Sequence, residues 1–311
     1  MTQAHSQVIT LEYKDLESKV DLENEIRKGL VNEDALGIVL VKNIPNYQQL
    51  RQNLLTTIPK VANLSPDILE QYELPETDYW IGWSHGRELR ASDKQPDTHK
   101  GSFYFNPAPG DMVSDDHLSH PNVWIKEIPE FEKYCMELSQ MMLKVGKLVA
   151  IQCDKFSHKS KVSTIIETSH SHKARALHYF PATNDSLATK DNLCGWHLDN
   201  SMLTALTRPL YNKNGDAIES DDSGLFIKNR AGDIVSVSIP SNCMAFQTGE
   251  ALQIYTNGVI RATPHCVSSS KTLNMHSRNT MALFMQPDSD FLLKENYTFK
   301  DFCKEVVKRH T

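Results

Sequence analysis

The strongest constraint on the fold is a series of short β-type runs in the second half of the chain. Between residues 174 and 286 these runs are ARALHYFP, LTALTRP, GLFIKN, DIVSVSIP, NCMAFQTG, VIRATPHCV and NTMALFMQP, each bounded by turn signals. The turn KNRAGD, built on Gly232, predicts a hairpin between the third run and the fourth. Short strands at near-regular spacing are typical of barrels and sandwiches. The second half is therefore predicted to be one of these two folds.

The first half predicts a mixture of strand and helix. The segment GIVLVKNI, residues 37–44, is rich in β-branched residues and stops at Pro45, which predicts a buried strand. Apolar residues at helical spacing predict amphipathic helices over residues 46–58 and 129–153. Between these helices the chain is loop-rich and dense in aromatic residues, glycine and proline. A long stretch of this kind is often functional.

Bulk composition excludes several classes of protein. The chain has 311 residues, enough for one large domain or two small ones, and its net charge is −6. An acidic chain without a Lys/Arg block offers no electrostatic footprint for nucleic acid. The longest apolar run, residues 35–44, is interrupted by Lys42 and is too short to cross a bilayer. We expect no nucleic-acid partner and no membrane association.

Cysteine usage indicates the compartment. The six cysteines form no Cys-x-x-Cys pair and are spread along the chain at Cys135, Cys153, Cys194, Cys243, Cys266 and Cys303. This spacing suits neither a disulfide framework nor a zinc ribbon, and it fits a reducing compartment. The N-terminal residues lack the apolar run of a signal peptide. A cytoplasmic protein is predicted.

A His-x-Asp triplet, His197 and Asp199, is the first candidate for chemistry. About one His-x-acid triplet is expected by chance in a chain with this many histidines, so the triplet alone is weak. Residues two apart in an extended segment share a face, and His265 in a second β-type segment supplies a third candidate ligand. Two imidazoles and one carboxylate on one face of an octahedron are the arrangement of non-haem Fe(II) oxygenases.

Arg278 and Thr280 form a second pair two residues apart on a β-type segment. A buried arginine in a strand is costly unless an anion meets it, and its fork of donors suits a carboxylate. A dicarboxylate held at one end by Arg278 and chelating iron at the other would link both features. Spacing alone leaves open that Arg278 lies at the surface, as arginines at strand starts usually do.

The second half of the sequence also resembles a known family. The run SGLFIKNRAGDIVSVSIPSNCMAFQTGEALQIYTNGVIRATPHCV is similar, in order and nearly without gaps, to the isopenicillin N synthase-like branch of Fe(II)/2-oxoglutarate oxygenases. The matching positions are Gly224-Leu225, Gly249, Leu252, Thr256-Asn257-Gly258 and His265. ALHYFP, His197-x-Asp199, Thr204 and Arg278-x-Thr280 also stand where the family has its motifs. The likeness extends from about residue 30, at the Gly-led strand, to about residue 290.

The resemblance implies a fold and a reaction. The fold would be mainly β with flanking helices, around a double-stranded β-helix (jelly-roll) core. Fe(II) would be held by His197, Asp199 and His265, with 2-oxoglutarate on Arg278 and Thr280. The reaction would use O2 and 2-oxoglutarate to oxidise a small organic substrate. A mixed N-terminal region, 1–165, with its helix 129–153 would pack on a core, 166–311, that ends in a helix, and together they would form one compact unit.

Two departures from the family pattern concern the cosubstrate and the substrate. Many members have Asn-x-Tyr before the proline, where this chain has His178 and Phe180, and Phe180 cannot donate a hydrogen bond. His178 is either a structural hydrogen-bonding group or a further 2-oxoglutarate contact. The loop region from Tyr79 to Asp111 matches no biosynthetic member, so substrate identity is expected to lie there. Candidate pocket residues are Trp80, Trp83, His85, Arg87 and Tyr179; loop packing is the alternative for the first four.

Three functions remain open from the sequence. The leading hypothesis is a 2-oxoglutarate-dependent oxygenase acting on a small molecule. The second is an Fe(II) oxidase of the same fold that does not use 2-oxoglutarate, and the third is a non-catalytic binding protein on this scaffold. A zinc hydrolase fits the ligand types but leaves Arg278 unexplained. His170 and His172 are interpreted as a solvated loop and not as a second metal site. The sequence does not indicate the oligomeric state.

Overall fold

The computed structural model describes residues 8–90, 94–108, 120–157, 160–181, 193–268, 273 and 275–310. The strands are β1 Ile9–Glu12, β2 Ile38–Lys42, β3 Gly82–His85, β4 Lys100–Phe105, β5 Lys173–Tyr179, β6 Cys194–His197, β7 Leu203–Thr207, β8 Leu210–Lys213, β9 Asp216–Ile218, β10 Leu225–Lys228, β11 Ile234–Val237, β12 Cys243–Thr248, β13 His265–Val267, β14 Ser277–Met285, β15 Leu292–Lys294 and β16 Tyr297–Thr298.

The α-helices are α1 Tyr13–Glu17, α2 Glu23–Ile26, α3 Tyr47–Ala62, α4 Pro66–Leu69, α5 Glu130–Cys153, α6 Val162–Thr168, α7 Glu250–Tyr255 and α8 Phe299–His310. A π-helical turn, Arg27–Val31, continues α2. Short 3-10 turns lie at Glu70–Tyr72, Pro75–Thr77 and Asp154–Phe156. Within the described ranges, no helix is both long enough and apolar enough to span a bilayer.

Two sheets form the core. The larger sheet has the order β1-β2-β12-β7-β14-β5-β4-β3, with β8 and β9 attached to β14, and the smaller has the order β11-β10-β13-β6. The first half of the chain therefore supplies strands at both ends of the larger sheet, and the second half supplies its centre. This mainly β architecture with flanking helices is the predicted jelly roll.

The long helix α5 covers the larger sheet. Its buried positions recur every three or four residues, as the sequence predicted. Gly146 lies where the helix approaches β14, since a Cβ atom there would come within 2.3 Å of Sδ of Met285. A larger residue at this position would require the Met285 side chain to move.

Several local predictions are confirmed and others are incomplete. The buried strand, the hairpin on Gly232 and the helix 129–153 are present as β2, the β10–β11 turn and α5. The helix predicted to end at residue 58 continues to Ala62. The loop-rich region contains β3 and β4, although residues 91–93 and 109–119 lie outside the described ranges. The prediction for His172 was wrong, because its side chain is 1% exposed and its Nε2 bonds the Ile166 carbonyl.

Candidate functional site

The three predicted metal ligands meet where the smaller sheet ends. His197 is the last residue of β6 and His265 the first of β13, and the two are directly opposed in the antiparallel register. Asp199 follows β6 by two residues. Its Oδ1 lies 3.7 Å from Nε2 of His197 and 3.8 Å from Nε2 of His265. The three donor atoms lie within 4.8 Å of one another, so they can bind one metal ion.

Backbone carbonyls orient both imidazoles. Nδ1 of His197 lies 2.7 Å from the Gly195 carbonyl, and Nδ1 of His265 lies 3.0 Å from the Thr263 carbonyl. Since a carbonyl only accepts, each Nδ1 carries the proton. In the neutral form of each imidazole the lone pair is therefore on Nε2, the atom that faces Asp199. Burial lowers the pKa of His197, but Cys194 and Asp199 outweigh burial and raise it to about 9, so a metal ion bound there would displace the Nε2 proton.

Gln247 on β12 supports the carboxylate. Its Nε2 donates to Oδ2 of Asp199 at 2.9 Å and lies 3.0 Å from Nε2 of His265. This bond engages Oδ2 and leaves Oδ1 facing the two imidazoles. No sequence pattern singled out Gln247. The available signal was a polar amide within an otherwise apolar strand, which is costly unless it is hydrogen-bonded.

The electrostatics of the cluster suit a divalent cation. Burial opposes ionisation of Asp199, but His265 and His197 outweigh it and lower the pKa of the carboxyl group. Burial, with His197 nearby, lowers the pKa of His265 to about 4, so this imidazole is neutral at neutral pH. A carboxylate and a neutral imidazole are the forms that bind metal.

A cavity opens beside the three ligands. It encloses about 620 Å³ of space free of protein atoms, its open mouth included. Its walls are largely apolar, formed by Leu177, Leu206, Leu225, Ile239, Val267 and Phe284, and its polar lining includes Thr204, Thr207, Ser223, Arg278 and Thr280. Metal ligands on one wall and an arginine on another are typical of a site that holds a small molecule between them.

Arg278 presents an unpartnered donor. Its Nε and Nη2 donate to the Ser223 carbonyl at 3.2 and 2.9 Å, whereas Nη1 is buried and has no partner in the described part of the chain. Gly224 has a φ of +69°, and a Cβ there would lie 2.3 Å from the Ser268 carbonyl. Glycine thus allows the turn that brings the Ser223 carbonyl to Arg278. A buried guanidinium left with an unpaired donor calls for an anion.

Thr280 faces the same cavity, beside Thr207. The hydroxyl of Thr280 donates to the Thr207 carbonyl at 3.2 Å, and the two hydroxyl oxygens lie 3.1 Å apart. Each hydroxyl keeps acceptor capacity, and both line the cavity next to Arg278. Thr207 was not predicted, although its position at the end of a β-type run placed it near the same sheet edge.

The strand β5 divides the residues of the HYF segment between two faces. Tyr179 faces the cavity, and the guanidinium carbon of Arg278 lies 5.2 Å from its ring centre. His178 faces the opposite side, where Nδ1 lies 2.8 Å from Oδ1 of Asn279. The structure therefore does not bring His178 into the cavity beside Arg278, because alternation along the strand turns it away. Phe180 packs against His85 and His178.

The remaining predicted pocket residues lie outside the cavity lining of the described chain. Trp80 stacks edge-on against Tyr104, and Nε2 of His85 lies 3.1 Å from the Thr98 carbonyl. Arg87 forms an ion pair with Glu73, and Trp83 is buried. These contacts correspond to the alternative of loop packing that the sequence left open.

Two further lining residues, Arg175 and Cys194, were not predicted. Arg175 shares the face of Tyr179 on β5, so period-2 alternation was enough to find it. Cys194 lies with Sγ 3.8 Å from Nδ1 of His197. Burial raises the pKa of this thiol, but His197 and Lys100 outweigh burial and bring it to about 7.

Solved structures resemble this chain over almost its whole length. A Caulobacter crescentus protein assigned to the 2OG-Fe(II) oxygenase family aligns with a TM-score of 0.76 and 17% identity, covering 98% of this chain and 99% of that one. A full-length Neurospora crassa protein, solved in complex with alpha-KG, aligns with a TM-score of 0.74 and 15% identity. This alignment covers 99% of this chain and 98% of that one. JOX2, solved with 2OG, Fe and JA, aligns with a TM-score of 0.66 and 15% identity. This alignment covers 97% of this chain and 88% of that one.

No family model matches the sequence, and no curated protein matches it. At identities of 15 to 17% the structural likeness concerns the fold. It extends over the larger sheet, the smaller sheet and the flanking helices together, because each alignment covers nearly the whole chain. The chain thus has the jelly-roll fold of the 2OG-Fe(II) oxygenases.

Proposed function

We propose that this protein is an Fe(II)- and 2-oxoglutarate-dependent oxygenase that oxidises a small organic substrate. The observation that carries the proposal is the shared cavity. One wall holds the His197, Asp199 and His265 cluster, and another holds the unpartnered Nη1 of Arg278. Two imidazoles and a carboxylate suit Fe(II), and the arginine suits the far carboxylate of a dicarboxylic cosubstrate.

Each group in the cavity has a defined role in the proposal. Bound to the three ligands, Fe(II) with 2-oxoglutarate and O2 would supply the oxidising chemistry, in which 2-oxoglutarate becomes succinate and CO2. Asp199, held by Gln247, contributes the negative charge of the ligand set. Arg278 fixes the cosubstrate through Nη1, next to the hydroxyls of Thr280 and Thr207. The Tyr179 hydroxyl replaces the hydrogen bond that Phe180 cannot make.

The apolar walls exclude water from the reacting atoms. Leu177, Leu206, Val267 and Phe284 surround the space between the metal ligands and the cavity mouth. A water-poor site strengthens the electrostatic interactions inside it and protects reactive species from side reactions.

Similar structures support a small-molecule substrate but do not identify it. The Neurospora crassa protein has also been solved with alpha-KG and thymine, whereas JOX2 has been solved with 2OG, Fe and JA. These ligands differ chemically, so the substrate must be inferred from the residues of this chain. A cytoplasmic location and the absence of nucleic-acid and membrane partners stay predictions.

An anaerobic titration tests the proposed function. The protein is loaded with Fe(II), 2-oxoglutarate is added, and the visible charge-transfer band of the chelate is followed. A saturable band is expected, and it should be absent in His197→Ala and retained in His170→Ala, whose imidazole is exposed. Succinate should form once O2 is admitted.

The same titration separates the alternatives. Iron binding without a band would overturn the 2-oxoglutarate assignment in favour of an oxidase of the same fold. Failure to bind iron would overturn the enzyme assignment and leave a binding protein on this scaffold.

A further inference from the structure

A second arginine, Arg175, faces the cavity, and the function proposed above gives it no role. On β5, Arg175 shares a face with Leu177 and Tyr179, and all three line the cavity. Tyr179 is paired with Arg278 across β14, while Arg175 is paired with Ala282. The four-residue step from Tyr179 to Arg175 is roughly 13 Å along the strand. Arg175 therefore belongs to a different part of the cavity from the cosubstrate position.

Two edges of the Arg175 guanidinium are fixed by the protein. Nε donates to the Ser102 hydroxyl at 3.0 Å, and Nη2 donates to Oε1 of Glu88 at 2.5 Å. The Tyr104 ring lies against the guanidinium with its centre 5.0 Å away, and its hydroxyl donates to the same Glu88 oxygen. These two bonds engage Nε and Nη2 and leave Nη1 outside them, and the side chain keeps 13% exposure.

The charge of Arg175 is already balanced. Lys100 lies beside it, with Nζ 3.0 Å from Oε2 of Glu88 and 2.9 Å from Oδ2 of Asp97. Burial raises the pKa of Glu88, but Arg175 and Lys100 outweigh burial and bring it to about 2, so the carboxylate is ionised. Two cations thus meet two carboxylates. An anionic substrate at this position would add an uncompensated buried charge, which is costly.

We propose that Arg175 is a specificity-determining residue that donates from Nη1 to a carbonyl oxygen of an uncharged substrate. This inference rests on the proposed function. The substrate class is a compact molecule with an apolar body, which fits against Leu177, Leu206 and Phe284, and an amide-like or ketone-like carbonyl at one end. Because Glu88 and Ser102 hold the guanidinium, the donor is preorganised and fixes which carbon faces the metal ligands.

Matched pairs of probes test this inference. Benzamide with benzoate, and phenylacetamide with phenylacetate, are titrated calorimetrically into anaerobic protein loaded with Fe(II) and 2-oxoglutarate, and again into metal-free protein. The wild-type protein is expected to bind each amide at least about 10-fold more tightly than the matching carboxylate. In Glu88→Gln the Arg175 guanidinium loses its counter-charge, so each carboxylate should bind more tightly than the matching amide.

Two variants complete the test. The double variant Arg175→Gln with Glu88→Gln keeps the charges balanced and removes the donor, so amide affinity should fall about 10-fold and the preference should nearly vanish. Glu73→Gln is the matched control, because Glu73 pairs with Arg87 outside the cavity lining. It should leave the order of affinities unchanged.

The outcomes distinguish this inference from the proposed function. A missing 2-oxoglutarate band in the wild-type protein would count against the proposed function, and the metal-free titration would still report on Arg175. Three results would overturn the inference: tighter binding of the carboxylates by the wild-type protein, equal or unmeasurable binding within each pair, or an order that Glu88→Gln leaves unchanged.

Discussion

Arg278 and Arg175 lie on paired strands and face one cavity, yet they differ in what balances their charge. Arg278 donates to a backbone carbonyl, and no carboxylate of the described chain lies within ion-pair distance of it. Arg175 is held by the Glu88 carboxylate. The presence or absence of a carboxylate partner leads to two different proposed roles for a buried arginine. An unbalanced guanidinium binds an anion, whereas a balanced one acts as a fixed hydrogen-bond donor.

A third buried arginine, Arg51, has all of its donor nitrogens engaged by the protein. It is 2% exposed, and its donors reach both carboxylate oxygens of Glu219 and the carbonyls of Arg208 and Pro209. No donor nitrogen remains for a ligand, and Arg51 clamps α3 to the loop between β7 and β8. Of these three arginines, the one whose donor nitrogens are all engaged is the one that does not line the cavity.

The largest expected effect is the loss of the Fe(II) binding that the proposed function requires. Asp199→Ala removes the carboxylate that faces both imidazoles, and the affinity for Fe(II) should fall at least about 100-fold. Competition with a chromogenic chelator under anaerobic conditions measures this affinity. His170→Ala is the control, and an Asp199→Ala protein that kept wild-type iron affinity would exclude Asp199 as a ligand.

The separate roles of Arg278 and Arg175 are tested by replacing each arginine with glutamine in turn. Arg278→Gln should weaken 2-oxoglutarate binding about 30-fold or more, since a buried charge pair is lost. Arg175→Gln should change it by less than about 3-fold. The visible band of the anaerobic complex gives both affinities. Equal losses in the two variants would mean that the two arginines do not have separate ligands.

A smaller effect is expected at Gln247, which donates to the proposed metal ligand Asp199. Gln247→Leu removes the donor to Oδ2 of Asp199, so iron affinity should fall about 10-fold through looser positioning of the carboxylate. The same chelator competition measures it, with Gln247→Glu as a second variant that repels the carboxylate. Unchanged affinity in both variants would remove Gln247 from the site.

The last prediction concerns the stability of the folded chain and a buried group that stays uncharged. Burial lowers the pKa of His172 to about 4, whereas an unfolded histidine titrates near 6.5. Between these values the unfolded chain binds the proton and the folded chain does not, so stability falls as the pH falls. The free energy of unfolding should drop by up to about 1.4 kcal/mol per pH unit from this residue. Urea unfolding at pH 7 and 5 should show a shallower loss in His172→Gln, and an identical loss would contradict the assignment.

Local patterns were sufficient for part of this structure. Apolar and β-branched runs predicted β2 and β14, and helical spacing predicted α5, because each signal lies within one continuous segment. The candidate metal ligands followed from their spacing and from the family resemblance. The strand β4, KGSFYF, was missed, since its lysine, glycine and serine have low β-propensity and only its neighbours β3 and β5 make it a strand. The contact between Arg175 and Glu88 spans 87 residues, so no local pattern contains it.

The pairing of β2 has a consequence for synthesis of the chain on the ribosome. Ile38 to Lys42 lies between β1 and β12, and its β12 partners begin at Cys243. About 200 residues must therefore be translated before this apolar strand can complete its pairing. At 5–20 residues per second that wait is roughly 10–40 seconds. One edge of this apolar strand therefore stays without its native partner until β12 emerges.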